Sequence, residues 1–229
     1  MLTPNLDIRD LGIVPYEQAL SLQKALVDSR KRQEVADTLV LLEHPTVYTI
    51  GRKGQRLQQE NPVESLVNEV AVERGGESTF HNPGQLVAYP ILGLADSERD
   101  VAKYLRNLEV VLIELLKTYG IASEARGGAT GVWIVGQQKK IASIGVALTG
   151  WVTYHGIALN VENDLTGFAR IQPCGFSASV MTSLQEVLGT APNMSQVKQD
   201  FVKVFAEVFK RQPSLPMAST GQAIMASSH

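Results

Sequence analysis

The sequence has almost no cysteine, no long apolar run and no excess of basic residues, and each shortage excludes a class of protein. The single cysteine among 229 residues, Cys174, excludes an intrachain disulfide and a metal site built from several cysteines. No apolar segment is long enough to cross a membrane, and the first residues lack the basic and apolar regions of a secretory signal. We therefore expect a protein of the reducing cytoplasm, with no membrane partner.

The charges are nearly balanced. There are 21 lysines and arginines against 23 aspartates and glutamates, which gives a formal net charge of −2. Because the basic residues are scattered along the chain, the sequence predicts no nucleic-acid-binding surface. With 44% hydrophobic and 19% charged residues, the composition is that of an ordinary soluble domain that can bury a substantial core.

Two common site signatures are also missing. No Gly-Lys-Ser/Thr stands at the spacing of a phosphate-binding P-loop. His44, His81 and His155 are far apart in the sequence and show no zinc-ligand spacing. The residues alone support neither a nucleotide-phosphate cradle nor a metal centre, and a Cys–His pair brought together by folding stays open.

The apolar pattern predicts helices and strands in a mixed order. Apolar residues at helical spacing predict helices over residues 16–30, 100–119 and 195–210. Short apolar or alternating runs predict strands over residues 38–42, 46–50, 70–72, 85–91, 131–135, 140–148 and 152–161, and residues 51–59 predict a loop. We divide the chain into one domain, 1–211, and a tail, 212–229, whose composition predicts disorder.

Three stretches carry more glycine, histidine and charge than packing requires. In residues 74–85, two glycines after Arg74 let the backbone bend closely round a ligand, and Ser78, Thr79 and His81 add polar groups. A Gly-Gly hairpin and an Asn-Pro-Gly turn between ordinary strands would explain the same residues equally well.

The other two stretches are residues 139–145 and 154–161. A lysine that opens an apolar strand is usually a solvated strand end. The functional alternative is that Lys140 turns inward beside small residues and takes part in proton transfer. His155 can be read as a base, a structural histidine or a strand-end residue, and the structural interpretation is favoured.

Cys174 stands between Pro173 and Gly175. Proline fixes φ and glycine permits unusual backbone angles, so this setting predicts a loop. A lone cysteine is more often a small buried apolar residue than a reactive one.

In this order, the stretches resemble the octanoyl (lipoyl) transferases of protein lipoylation. The similar strings are residues 51–55, 74–81, 83–87, 140–145, 155–161 and 173–175, and the resemblance extends from the first predicted helix to about Lys210. Asn82 departs from the family pattern, which commonly has a small residue there, often glycine. This departure bears on the geometry of the local turn.

The resemblance implies the mixed α/β fold of lipoate–protein ligases and of the biotin–protein ligase catalytic domain. That fold has a large, mostly antiparallel sheet flanked by helices, and a smaller sheet. It also implies a monomeric acyltransferase that moves an octanoyl group from acyl carrier protein to a lysine of a lipoyl domain. Acceptors would be 2-oxoacid dehydrogenases and the glycine cleavage H protein. No ATP or metal is implied, because the acyl group arrives on phosphopantetheine.

The same resemblance assigns roles to residues. Cys174 would be the nucleophile, and Lys140 would supply the neighbouring cation that favours its thiolate. Backbone N–H groups near Gly75 and Gly76, or at Gly145, would hold the oxyanion. The residues that would bind the acyl substrate are Arg74, Gly75, Gly76, Glu77, Ser78, Thr79, Phe80, His81, Ser143, Ile144, Gly145, Gly156, Ile157 and Ala158.

Three alternatives stay open. A lipoate–protein ligase on the same fold would adenylate free lipoate with ATP and would not need Cys174. A thioesterase would use water in place of the acceptor lysine. A catalytically silent acyl-binding module would hold the octanoyl group without a covalent adduct.

Overall fold

The computed structural model of the protein describes residues 3–54, 68–171 and 178–214. The strands in these ranges are β1 (Asn5–Ile13), β2 (Asp37–Glu43), β3 (Val47–Ile50), β4 (Glu69–Ala71), β5 (Ser78–His81), β6 (Gln85–Ile91), β7 (Ser123–Ala125), β8 (Gly131–Ile134), β9 (Lys140–Thr149), β10 (Val152–Asn160) and β11 (Gln212–Pro213). The helices are α1 (Tyr16–Lys31), α2 (Val101–Thr118), α3 (Leu184–Leu188) and α4 (Met194–Phe209), with short 3-10 turns at Asp96–Glu98, Thr166–Arg170 and Ala178–Val180.

The strands form one large and one small sheet, which confirms the predicted mixed α/β fold. The large sheet has eight strands in the order β11-β1-β2-β6-β10-β9-β8-β7, and the small sheet has the order β4-β3-β5. In the large sheet β1 is parallel to β2 and to β11, whereas the other neighbouring pairs are antiparallel. The large sheet is therefore mostly antiparallel, as expected.

Helices cover both faces of the large sheet. Leu39 and Leu41 of β2 belong to the apolar cluster that includes residues of α2 and α4. Val40 and Leu42 belong to the cluster that includes residues of α1. Successive side chains of a strand point to opposite faces, so these two clusters lie on opposite faces of β2. Both faces of the strand are buried, which is why its sequence is a continuous apolar run.

Helix α2 brings Val101 and Leu105 to the candidate site. It begins where the sequence predicts, with the Asp100 carboxylate accepting a hydrogen bond from the backbone N–H of Lys103 at 2.9 Å. Leu108 and Leu112 are buried against the sheet. Leu105, near the start of the helix, packs partly against the same core and also lines the cavity described below.

The structure departs from the sequence predictions in a few elements. The sequence pattern does not predict β1, β5 or β7. The disorder expected from residue 212 is wrong for residues 212–214: Gln212 and Pro213 pair with Asn5 and Leu6 of β1, and the N–H of Ser214 donates to the Leu6 carbonyl at 2.8 Å. The rest of the expected tail, residues 215–229, lies outside the described residues, as do residues 55–59 of the predicted loop.

Candidate functional site

A cavity of about 390 Å³ lies between the segment 74–79 and strands β9 and β10. This volume falls in the range of small-molecule binding sites. Among the residues proposed from the sequence, those that line it are Lys140, Arg74, Gly75, Gly76, Glu77, Ser78, Thr79, His81, Ser143, Ile144, Gly145, Gly156, Ile157 and Ala158.

Strand pairing gives the cavity two distinct ends. Ser143 pairs with Ala158, Gly145 with Gly156, and Val146 with His155. Lys140 and Val146 are therefore roughly 20 Å apart along β9, given a rise of about 3.3 Å per residue. We call the two regions the lysine end, at Lys140, and the ring end, at His155.

Phe80 is placed differently from the other residues proposed for binding. Its ring centre lies 4.9 Å from that of Tyr48 and 5.3 Å from that of Phe168, in a separate apolar cluster. Thr79 and His81, its neighbours on β5, line the cavity. The alternation of side chains places Phe80 on the opposite face of β5 from Thr79 and His81. Ser78, at the start of the strand, also lines the cavity.

Arg74 shapes the wall of the cavity. It is 8% exposed, and its guanidinium donates to the carbonyl and hydroxyl oxygens of Thr49, each at 2.9 Å, and to the carbonyl of Glu77 at 2.7 Å. The N–H of Gly75 donates to the carbonyl of Val146 at 2.9 Å, which fixes the segment on β9. A Cβ at Gly145 would lie 2.8 Å from Cδ of Arg74, so the arginine and this glycine form one packing unit.

Lys140 is fully buried, with 0% of its surface exposed. Its Nζ donates to the carbonyl of Thr130 at 2.8 Å and lies 5.7 Å from the centre of the Trp133 ring, a cation–π distance. Lys139 is partly exposed, and its Nζ donates to the carbonyl of Ser179 at 2.8 Å. Of the two adjacent lysines, Lys140 is the one that turns into the cavity.

Cys174 lies outside the described residues. The chain that follows it in the sequence runs beside Lys140. Met181 forms an isolated parallel bridge with Lys140, and the N–H of Thr182 donates to the Lys140 carbonyl at 3.0 Å. The backbone of Lys140 is thus held by the segment that continues from the cysteine region.

Three histidines meet at the ring end, although they are distant in the sequence. The ring centres of His44 and His81 are 5.6 Å apart, and the Tyr16 ring lies 5.0 Å from His44 and 6.0 Å from His81. The His155 ring lies 6.4 Å from that of Tyr89, and its Nδ1 is 3.4 Å from the Tyr16 hydroxyl. In residues 3–54, 68–171 and 178–214, no three His, Cys, Asp or Glu side chains are placed to hold a metal.

Burial keeps these rings neutral near pH 7. Desolvation lowers the pKa of His44 and of His155 to about 4, and the Arg74 charge also lowers that of His155. Desolvation lowers the pKa of His81 well below its ordinary value, and raises the pKa of both Tyr16 and Tyr89. The ring end is therefore polar but uncharged on these five groups.

Hydrogen-bond partners fix the tautomer of His44. Its Nδ1 lies 2.7 Å from the carbonyl of Val14, so this nitrogen donates. Its Nε2 then accepts from the hydroxyl of Tyr89, also at 2.7 Å.

The cavity also contains residues that the sequence analysis did not single out as site residues. They are Tyr16, Lys53, Tyr89, Val101, Leu105, Gly128, Thr130 and Val146. Tyr16 and Leu105 belong to helical apolar stripes, which predict core packing. The alternation of polar and apolar residues in the sequence held no signal for their second role.

The profile of the family "Lipoyl protein ligase A/B catalytic domain" matches residues 15–206. The chain belongs to this family. Curated octanoyltransferases are similar over almost its whole length. That of Syntrophotalea carbinolica is 45% identical, with 94% of this chain and 100% of the relative covered. That of Geobacter metallireducens is 43% identical, with 94% and 98% covered. These relatives confirm the expectation that the chain is an acyltransferase enzyme.

Solved structures confirm the fold. A lipoate-protein ligase A bound with ATP matches with a TM-score of 0.71 at 14% identity, covering 96% of this chain and 90% of the other. The biotin protein ligase of Aquifex aeolicus in complex with biotin and ATP matches with a TM-score of 0.56 at 16% identity, covering 90% and 70%. At such identities the likeness concerns the fold alone. Among the described residues, no helix is long and apolar enough to span a membrane.

Proposed function

We propose that this enzyme transfers an octanoyl group from an acyl carrier protein to a lysine of a lipoyl domain, with Cys174 as the transient carrier. The observation that carries the proposal is the buried Lys140 at one end of a cavity lined by thirteen of the fourteen predicted binding residues. The octanoyltransferases that are 43–45% identical support the choice of acyl group.

In the first step, the Cys174 thiolate attacks the carbonyl carbon of the octanoyl thioester. A carbon–sulfur bond to Cys174 forms, and the bond to the phosphopantetheine sulfur breaks. The proton given up by the Cys174 thiol goes to the departing phosphopantetheine thiolate. A free cysteine is mostly thiol at neutral pH, so we give the Lys140 ammonium the role of favouring the thiolate.

In the second step, the neutral amine of the acceptor lysine attacks the acyl-cysteine. The nitrogen–carbon bond forms, the bond to the Cys174 sulfur breaks, and the amine proton passes to that sulfur with Lys140 as the relay. One thioester is exchanged for another before the amide forms, so the sequence of steps needs no ATP and no metal.

The oxyanion of each step needs backbone or side-chain donors. The N–H of Gly75 already donates to the Val146 carbonyl at 2.9 Å, so we remove it from the candidates. Gly76 follows at the same end of β9, where Val146 pairs with His155, whereas the thioester carbonyl belongs at the lysine end in this proposal. We therefore assign stabilisation of the oxyanion to the ammonium of Lys140.

The walls between the two ends suit an apolar chain. Ile144, Gly145, Ile157 and Ala158 supply small or apolar surface, and the groups at the ring end are neutral. We assign the octanoyl tail to this space. The thioester carbonyl then lies towards Lys140.

The proposal is tested by incubating the protein with octanoyl carrier protein, without ATP, and measuring its intact mass. We expect one octanoyl adduct, absent in Cys174→Ala, and loss of the adduct when a lipoyl domain is added. An adduct retained in Cys174→Ala would refute the nucleophile. Labelling of the lipoyl domain only with ATP and free acid would indicate a ligase, and steady octanoate release without an acceptor would indicate a thioesterase.

A further inference from the structure

Three successive residues before and at the start of β8 each bind a different side chain. The carbonyl of Ala129 accepts from the Trp133 indole at 3.0 Å, and that of Thr130 accepts from Nζ of Lys140 at 2.8 Å. The N–H of Gly131 donates to a carboxylate oxygen of Glu109 on α2 at 3.4 Å. The segment 129–131 is thus fixed from β8, β9 and α2 together.

The side chain of Lys140 crosses the backbone at Gly131. Gly131 has a φ of 128°, a conformation that residues with a side chain rarely adopt. A Cβ built there would lie 2.6 Å from Cε and 3.2 Å from Nζ of Lys140, and would also contact the carbonyl of Ala142. A side chain at this position would force the end of the lysine side chain, the Ala142 carbonyl or both to move.

The register of β8 and β9 changes at the same place. Gly131 pairs with Ser143, Val132 with Ala142, and Trp133 with Lys140, so Ile141 is an extra residue on β9. Such a bulge re-aims the neighbouring side chain. Regular alternation would put Lys140 on the face of Ala142, and the extra residue brings it to the face of Ser143, which lines the cavity.

We propose that Gly131 is a positioning residue for Lys140, because its missing side chain leaves the passage through which the lysine reaches the Thr130 carbonyl. Glu109 supports it by holding the N–H of Gly131. This inference rests on the proposed function, in which the Lys140 ammonium must stand beside the reacting sulfur. It adds the requirement that β8 begin with a glycine, although no residue of this strand is proposed to react.

The test compares Gly131→Ala with Gly136→Ala. Gly136 lies between β8 and β9, also has a positive φ, 72°, and has no atom within 4 Å of an added Cβ. It therefore places a side chain at a positive φ near the left-handed region, with milder backbone strain than at Gly131 and without the contact to Lys140. Lysines are methylated with formaldehyde and borohydride, and peptide masses give the extent of labelling at Lys140.

We expect Lys140 to be protected in wild type and Gly136→Ala and to be labelled in Gly131→Ala. The single-turnover rate of octanoyl adduct formation should fall roughly 100-fold in Gly131→Ala, the size of effect expected from a misplacement of about 1 Å. Binding of the octanoyl carrier protein should stay at the wild-type level. Unchanged labelling, or an unchanged acylation rate, in folded Gly131→Ala would overturn the proposal.

The labelling does not depend on activity, so it separates this inference from the proposed function. If wild type forms no adduct but Lys140 is exposed by Gly131→Ala, the proposed function fails and the structural role of Gly131 stands. If Gly131→Ala does not fold, Glu109→Leu replaces it, with Glu114→Leu on the same helix as the control. We expect Lys140 labelling to rise only in Glu109→Leu and to return to the wild-type level in Glu109→Gln, whose amide oxygen can accept the same N–H. Equal labelling in all three variants would overturn the proposal.

Discussion

The two ends of the cavity differ in the charge of their buried polar side chains. At the lysine end, a cationic side chain is buried against the Thr130 carbonyl and the Trp133 ring. At the ring end, burial lowers the pKa of His44 and His155 to about 4, so that these rings stay uncharged. A buried charge is costly unless it has partners, and the fold provides such partners around Lys140.

Under the proposed function, this contrast separates the end of the cavity where the acyl group reacts from the end that holds its tail. A fixed cation can stabilise a thiolate or a developing oxyanion, whereas neutral rings cannot do so to the same extent. An apolar acyl tail would in turn lose little by lying against uncharged rings. The division suggests that the reacting atoms belong at the lysine end and the far end of the acyl chain towards the ring end.

The largest expected effect comes from removing the charge at the lysine end. Lys140→Met keeps much of the buried volume but removes the cation, so the fold should persist, while the charge that favours the thiolate in the proposed function is lost. We expect the single-turnover rate of octanoyl adduct formation at pH 7 to fall by about 10²- to 10⁴-fold, the range of acid–base contributions. Intact mass against time measures this rate.

Lys139→Met is the matched control for the adjacent position. Its side chain is partly exposed and binds the Ser179 carbonyl, so the acylation rate should stay close to that of wild type. Equal rates in Lys140→Met and wild type would contradict the role given to the lysine end.

The next effect is a loss of stability in mild acid, caused by the ring end. The unfolded histidines have pKa values near 6.5, whereas His44 and His155 have values of about 4 when folded. These two histidines make their full contribution to the free energy of unfolding above pH 6.5. The contribution is lost as the pH falls towards 4, because the unfolded chain binds protons at these rings first. We expect the free energy of unfolding in urea to fall by roughly 2 kcal/mol for each of these histidines between pH 7 and pH 5.

A double variant isolates the two rings. His44→Gln with His155→Asn removes two of the three buried histidines and leaves His81, whose pKa is also lowered by burial. Asparagine tolerates the φ of 56° at position 155. The decrease between pH 7 and pH 5 should become much smaller in this variant. A decrease as steep as that of wild type would show that other groups control the acid response.

The sequence predicts the lysine end and the middle of the cavity better than the ring end. Arg74, Ser143 and Gly156 stand in contiguous strings, and the family resemblance covers those strings. The ring end is assembled from α1, β5, β6 and β10 and from the residue after β2, so its composition depends on pairings between distant segments. The spacing of His44, His81 and His155 in the sequence contains no trace of this convergence.

The choice between Lys139 and Lys140 shows a second limit. Both lysines open the same strand, and simple alternation does not tell which one turns inward. The extra residue at Ile141 and the open passage over Gly131 decide it, and both are features of the pairing between β8 and β9. The sequence prediction of Lys140 came from the resemblance and not from the strand pattern.

A smaller effect is expected from one hydroxyl of the ring end. Tyr89→Phe removes the group that donates to Nε2 of His44 and leaves that buried nitrogen without this partner. We expect a loss of about 1–2 kcal/mol in the free energy of unfolding at pH 7, measured in urea. Tyr154→Phe is the control, because the Tyr154 hydroxyl makes no hydrogen bond within the described ranges. Equal losses in both variants would show that the hydrogen bond between Tyr89 and His44 does not stabilise the fold.

The smallest effect tests whether the ring end depends on charges at the surface. Nζ of Lys24 lies 2.7 Å from a carboxylate oxygen of Glu73, whose other oxygen is 3.9 Å from Nε2 of His155. Both partners of the Lys24–Glu73 pair are about half exposed, so solvent screens their attraction. Lys24→Gln should therefore cost at most about 1 kcal/mol of unfolding free energy. A loss as large as that of Tyr89→Phe would mean that the Lys24–Glu73 pair at the surface stabilises the neutral rings. Both ends of the cavity would then depend on charged side chains, and the contrast between them would be smaller.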